Sequence, residues 1–263
     1  MTIEKMLETL EFKELSLIQQ KVIESFDKAN HIVGLAPTGT GKTHAYLFPL
    51  LSRLKRVPNE VEAIILLPTN ELVNQVAQMI EKTDPEVSFK SYFGSLDMER
   101  EATRLKNQHP NLIVTTPSKL IDLVIHKNAL NIKHIKYFVL DEADMMFDED
   151  FMSMIDPVLV NQNVEKFLLF SASITRSMEP FIKKYFGQHL LIDTTKHVEL
   201  KIKYKLLKVN EQRIKQLSEL LDHLNPYLCI IFVSKNEDIQ RVYEMILDKG
   251  LNVASFSSLI GVK

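Results

Sequence analysis

The chain has 263 residues, of which 45% are hydrophobic and 25% charged, with a formal net charge of −2 and a single cysteine. These are the proportions of an ordinary globular protein, without the basic balance of proteins that hold nucleic acid by bulk charge. No stretch approaches the ~20 apolar residues of a membrane span. The mixed charges of residues 1–10, one lysine and two glutamates, make no secretory signal, the lone Cys229 excludes an internal disulfide, and a reducing cytoplasm is the expected home.

In chain order, the first apolar run covers residues 31–35 and is followed by Ala36-Pro37-Thr38-Gly39-Thr40-Gly41-Lys42-Thr43 and a helix-like stretch to residue 54. A strand, a glycine-containing loop and a helix start form the setting in which backbone N–H groups cradle phosphates. Lys42 is the cation for the β- and γ-phosphates, and the Thr43 hydroxyl suits a magnesium ion. The general phosphate-loop pattern has glycine where this chain has Ala36. Further strand-like runs fall near 63–67, 88–92, 111–115, 135–140, 166–171 and 189–193, separated by longer helix-compatible segments. That alternation predicts an α/β fold, a mostly parallel sheet with helices on both faces.

Two of these runs end in Pro68-Thr69 and Thr116-Pro117, which read as helix starts. Both are expected on one sheet edge, where hydroxyls and N–H groups can take phosphate and sugar oxygens without reading sequence. The run ending at Leu140 leads into Asp141-Glu142-Ala143-Asp144. A carboxylate at the C-terminal end of a buried parallel strand faces the phosphate loop of its neighbour. Asp141 is the candidate to hold magnesium, partly through water, and Glu142 to orient or deprotonate an attacking water. A phosphate loop followed by this acidic pair predicts ATP hydrolysis.

Residues 193–200 are polar and aperiodic. We place a first domain at 1–195, a linker at 196–201 and a second domain from 202. Its expected elements are a strand at 202–209, a helix at 211–223, a strand at 228–233, a helix at 236–248 and a strand at 252–256. Lysines 196, 201, 203, 205 and 208 form the visible concentration of positive charge, read either as a solvated face or as a local nucleic-acid patch.

Taken together, these motifs resemble those of the DEAD-box ATP-dependent RNA helicases, of bacterial type, across nearly the whole chain. Phe12 and Ile18-Gln19 match the family's adenine motif, in which the glutamine reads the adenine edge; read alone, Gln19 is equally a polar residue on an exposed turn. Pro68-Thr69-Asn70-Glu71-Leu72, Phe93-Gly94-Ser95 and Thr116-Pro117-Ser118-Lys119 stand at the family's RNA motifs. Ser171-Ala172-Ser173 matches its Ser-Ala-Thr motif, and residues 229–233 resemble the strand that opens the motif series of a second domain. The resemblance implies a RecA-like fold, an incomplete second RecA-like domain in residues 202–263, and ATP with Mg2+ as ligands. It also implies RNA contacts from Pro68, Thr69, Glu71, Gly94, Thr116, Pro117, Ser118 and Lys119. Ser171 and Ser173 would couple the RNA and ATP sides through Asp144. RNA would be held through its backbone, with ribosome-assembly or RNA-decay factors as further partners and no membrane.

Departures from the family pattern accompany the matches. Asn70 replaces an arginine and removes a cation with its bidentate fork; Lys119 replaces another and keeps only the charge. Leu15-Ser16-Leu17 stands where Pro-Thr-Pro is usual. Both changes in the RNA motifs predict weaker RNA contacts. Nothing after Val253 resembles the arginine motif the family uses to stabilise the transferring phosphate, a contribution of ~10³–10⁵ in rate, and Lys263 reads as a truncation point. The expectation is therefore a chain that binds ATP and magnesium but hydrolyses poorly. A non-enzymatic ATP- or RNA-binding module, or decoy, is the alternative, and a DNA-directed helicase of the same superfamily is a third reading.

Overall fold

The computed structural model describes residues 1–94, 97–147, 150–160, 162–197, 203, 205–209, 212–257 and 261–262. The chain divides into two compact units, Met1–Leu200 and Lys201–Lys263.

Among the described residues, the first unit carries seven strands: β1 (Ile32–Leu35), β2 (Ala63–Leu66), β3 (Phe89–Tyr92), β4 (Leu112–Thr115), β5 (Tyr137–Asp141), β6 (Lys166–Ser171) and β7 (Leu190–Asp193). They form one sheet in the order β3-β4-β2-β5-β6-β1-β7, with every pairing parallel. All seven lie on predicted apolar runs. β1, β2 and β4 are buried along their whole length, the signature of parallel strands covered on both faces.

Alternate residues of each strand feed separate cores. Ala63, Ile65, Leu112, Val114, Val139, Leu168 and Phe170 pack with helices α1 (Ile3–Thr9), α2 (Leu17–Ser25), α3 (Lys42–Arg53) and α4 (Asn70–Thr83). Ile64, Leu66, Ile113, Phe138, Leu140 and Leu169 face the other way. They join Leu105 of α5 (Met98–Asn107), Leu120 of α6 (Pro117–Ile121), Phe151 and Ile155 of α7 (Phe151–Leu159), and Phe181 of α8 (Glu179–Phe181). The fully buried Glu62 anchors the loop between α3 and β2: its carboxylate accepts from the N–H groups of Lys55 (2.8 Å) and Val57 (3.1 Å) and from Lys136 Nζ (3.2 Å).

His31 closes the N-terminal end of β1. Its Nδ1 accepts the Phe167 N–H at 3.0 Å, and its ring packs against Phe167 and Phe186. Burial, then the nearby charges of Lys166 and His189, hold its pKa below the ordinary 6.5. The unfolded chain therefore binds this proton first, and His31 contributes stability that is fully present above pH 6.5 and is lost as pH falls through its lower folded value. His31→Asn offers a non-titrating acceptor in place of Nδ1. The stability difference between wild type and this variant is expected to move against the wild type as pH drops from 7.5 to 5 in urea melts; a pH-independent difference rules the effect out.

The second unit contains α9 (Arg213–Leu224) and α10 (Asn236–Asp248), which share the small apolar cluster Leu221, Val242 and Ile246. It also has a two-stranded antiparallel ribbon, β8 (Phe256–Ser257) with β9 (Gly261–Val262). The strand predicted at 228–233 does not form: no described residue pairs with it, Ile230 is 74% and Phe232 91% exposed, and Cys229 is exposed rather than inside a strand. Residues 203 and 205–209 of the predicted first strand are likewise irregular, its other residues lie outside the described set, and the run at 252–256 contributes only Phe256. An apolar run supplies the side chains a strand would bury, but a strand also needs a neighbour for its N–H and C=O groups. Among the described residues, no helix is long and apolar enough to cross a membrane.

Candidate nucleotide-binding site

Parallel pairing sends every strand's C-terminal end to one edge, and the motif residues follow. Along the strand order, that edge presents Gly94 after β3, Thr116 after β4, Pro68 and Thr69 after β2, Asp141 and Glu142 at β5, Ser171 at β6, and residues 36–43 after β1.

The loop between β1 and α3 turns on Gly39 and Gly41, with φ of 82° and 86°. The sign of the backbone torsion favours glycine at Gly41, and an added Cβ there would crowd the end of the Gln19 side chain. Gln19 is 3% exposed, which overturns its reading as a polar residue on an exposed turn. Its Nε2 donates to the Gly41 carbonyl at 3.1 Å, and its Oε1 accepts the Ser16 N–H at 2.9 Å. The glutamine that the resemblance assigns to the adenine motif is thereby tied to the loop of residues 36–43. Phe12, matched to the same motif, packs edge-on against His44 and Phe48.

Lys42, the first residue of α3, is 4% exposed. Its Nζ donates to the Ala36 carbonyl at 3.1 Å and stands 3.4 Å from Glu142 Oε1. One residue on, the Thr43 hydroxyl donates to Asp141 Oδ2 at 3.1 Å. Oδ2 also receives the hydroxyl of fully buried Tyr46 at 2.9 Å, while Oδ1 accepts the Glu142 N–H at 3.0 Å. Burial raises the Asp141 pKa to about 6, the Glu142 charge adds to the rise, and the Tyr46 and Thr43 hydrogen bonds oppose it. Glu142 holds a left-handed φ of 51° as β5 turns into the short helix Ala143–Met145, a strained conformation for a non-glycine residue of the kind found at functional sites.

Among the described residues, no group of three or more His, Cys, Asp or Glu side chains could hold a metal unaided. One carboxylate and one hydroxyl, both hard oxygen donors, make the partial set that suits Mg2+ completed by phosphate oxygens and water. Close by, Ser171 Oγ accepts the N–H groups of Asp144 (3.1 Å) and Ser173 (3.4 Å), and the buried Asp144 Oδ1 has no hydrogen-bond partner among the described residues.

On the other half of the edge, the Thr69 hydroxyl oxygen caps α4 by accepting the Leu72 N–H at 3.3 Å, and Glu71 sits in that first turn. Thr116 precedes Pro117 at the start of α6, with its hydroxyl 3.4 Å from that of Ser118; Lys119 lies in the same helix. Asn70 Oδ1 accepts the Gly94 N–H at 3.0 Å, so the residue that stands for an arginine joins two of the predicted RNA motifs. Sequence reasoning missed this bond, and it missed Tyr46; the available signal was a hydroxyl three residues after Thr43, on the same helix face.

A glycine-containing loop after β1 and an acidic pair after β5, on the C-terminal edge of one parallel sheet, are arranged as in a RecA-like fold. The chain belongs to the DEAD/DEAH box helicase family, whose sequence model matches residues 16–181. It is 32% identical over 253 residues to the DEAD-box ATP-dependent RNA helicase CshB of Bacillus subtilis, covering 93% of this chain and 57% of that protein. It is 35% identical over 250 residues to the probable ATP-dependent RNA helicase MJ0669 of Methanocaldococcus jannaschii, covering 93% and 66%. Its fold is similar to the crystal structure of a DEAD box protein from the hyperthermophile Methanococcus jannaschii, with a TM-score of 0.68 and 32% identity over 95% of this chain and 68% of that one. The RNA helicase Prp28 from Chaetomium thermophilum bound to ADP is also similar, with a TM-score of 0.63 and 26% identity, covering 94% and 61%. The chain thus spans little more than half the length of CshB.

Proposed function

We propose that these residues are the ATP- and RNA-binding part of an ATP-dependent RNA helicase, in which hydrolysis drives local duplex separation or remodelling of RNA–protein complexes. The observation that carries this reading is the convergence of Lys42, Thr43, Asp141 and Glu142 through contacts of 3.0–3.4 Å. In the proposed mechanism, residues 36–43 cradle the phosphates and Lys42 moves from Glu142 and the Ala36 carbonyl onto the β- and γ-phosphate oxygens. Thr43 and Asp141 would hold Mg2+, which when bound would offset charge on the phosphates. Release from Lys42 leaves the Glu142 carboxylate free to orient a water and accept its proton. Gln19 turns from the Gly41 carbonyl to the adenine edge. RNA lies along Pro68, Thr69, Glu71, Gly94, Thr116, Pro117, Ser118 and Lys119, held by its backbone, and Ser171, Ser173 and Asp144 link that half of the edge to the nucleotide half.

The test is binding of a fluorescent ATP analogue with Mg2+, binding of a labelled single-stranded RNA, and ATP hydrolysis with and without that RNA, using Glu142→Gln as the blank. ATP is expected to bind, with turnover by residues 1–263 alone near the blank. Failure to bind ATP overturns the reading. RNA-stimulated turnover well above the blank overturns the expectation of slow hydrolysis and leaves the helicase reading standing. ATP binding without any RNA binding favours a nucleotide-binding module instead.

A further inference from the structure

We infer that Tyr46 is a positioning residue for magnesium-dependent nucleotide binding, acting through Asp141; the inference rests on the function proposed above. Thr43 and Tyr46 lie three residues apart on α3, so one face of the helix presents two hydroxyls. Both reach the same carboxylate oxygen, Asp141 Oδ2, at 3.1 and 2.9 Å. The two hydroxyls are not equivalent. Thr43 is partly exposed on the loop side, so its oxygen can serve a ligand. Tyr46 is fully buried, with its ring against Phe170 at a centroid distance of 5.2 Å.

A phenol has few torsions to set its hydroxyl, and here packing fixes them. A buried hydroxyl also needs a partner, and Asp141 supplies it. The remaining oxygen, Oδ1, is held by the Glu142 N–H. Tyr46 therefore provides the hydrogen bond that stays with Asp141 when the Thr43 oxygen turns to a cation. It keeps the carboxylate plane aimed along the β5 edge toward the phosphate loop. The bond is directed at the cation's ligand and leaves Lys42 and the loop amides untouched, so its loss separates magnesium-dependent from magnesium-independent binding.

The experiment compares affinity for a fluorescent ATP analogue in excess Mg2+ and in EDTA, for wild type, Tyr46→Phe, Asp141→Asn and the double variant. Tyr46→Phe keeps the ring and its packing. The ratio of the two affinities is expected to fall about tenfold in Tyr46→Phe, the size of one hydrogen bond to a charged group. It is expected to fall no further when Tyr46→Phe is added to Asp141→Asn. An unchanged ratio in Tyr46→Phe, or an equal further loss in the Asp141→Asn background, overturns the inference and leaves Tyr46 a packing residue. Wild type that binds the analogue in neither condition overturns the proposed function itself, a separate result.

Discussion

Replacing Lys42 by alanine is expected to weaken ATP binding by on the order of 10²–10³-fold while the domain stays folded. The side chain is almost wholly buried, yet among the described residues its ammonium meets only the Ala36 carbonyl and the Glu142 carboxylate, both members of the same site. The rest of the fold does not depend on it. Removing one partner of a buried, hydrogen-bonded charge pair costs ~2–5 kcal/mol, and the estimate above lies within that range. Lys42→Arg keeps the charge but carries a planar fork too wide for a position enclosed by Ala36 and Glu142, so it is expected to recover only part of the loss. Titration of a fluorescent ATP analogue, with thermal melts as the folding control, checks both variants. ATP affinity within threefold of wild type in Lys42→Ala would remove residues 36–43 as the phosphate site.

The largest loss of stability is expected from Phe181→Ala, on the sheet face opposite the phosphate-loop helix. Phe181 is fully buried, and its ring meets Phe147 (5.2 Å between centroids), Phe151 (5.9 Å) and Tyr185 (4.8 Å). These contacts join α7 to α8 over the sheet. Phe→Ala in a core costs ~3–5 kcal/mol through lost transfer energy and the cavity left behind. At ~2–4 °C per kcal/mol for a unit of this size, the melting temperature is expected to fall by about 6–20 °C. Phe181→Leu fills most of the volume and is expected to lose less than half as much. A shift below 3 °C in Phe181→Ala would mean that the neighbouring rings close the gap.

The five inner strands were legible because strands buried on both faces read as apolar runs, as residues 63–66 and 112–115 do. Strand order was not legible: β1 pairs with β6 and β7 by contacts that span most of the unit, and no local pattern encodes them. The motif residues could be placed on one edge because parallel strands share a direction. Their hydrogen bonds could not be read in advance. Asn70 counted only as a lost cation until its carbonyl was found on the Gly94 N–H. Gln19 is buried because it binds a backbone carbonyl 22 residues away. In the second unit the same rule misled, since the apolar run at 228–233 has no neighbouring strand among the described residues.

The position of β1 in the sheet also sets an order of events during synthesis. Its two hydrogen-bonded neighbours pair Ile32 with Leu168 and with Leu190. A ribosome has therefore made most of the first unit before the strand that carries the phosphate loop can be clamped on either side. Until then β2, β4 and β5 can assemble with one another, but β1 has no strand to join, and closing so long a loop is slow. The candidate nucleotide site, written near the start of the sequence, is one of the last parts of the first unit to come into being.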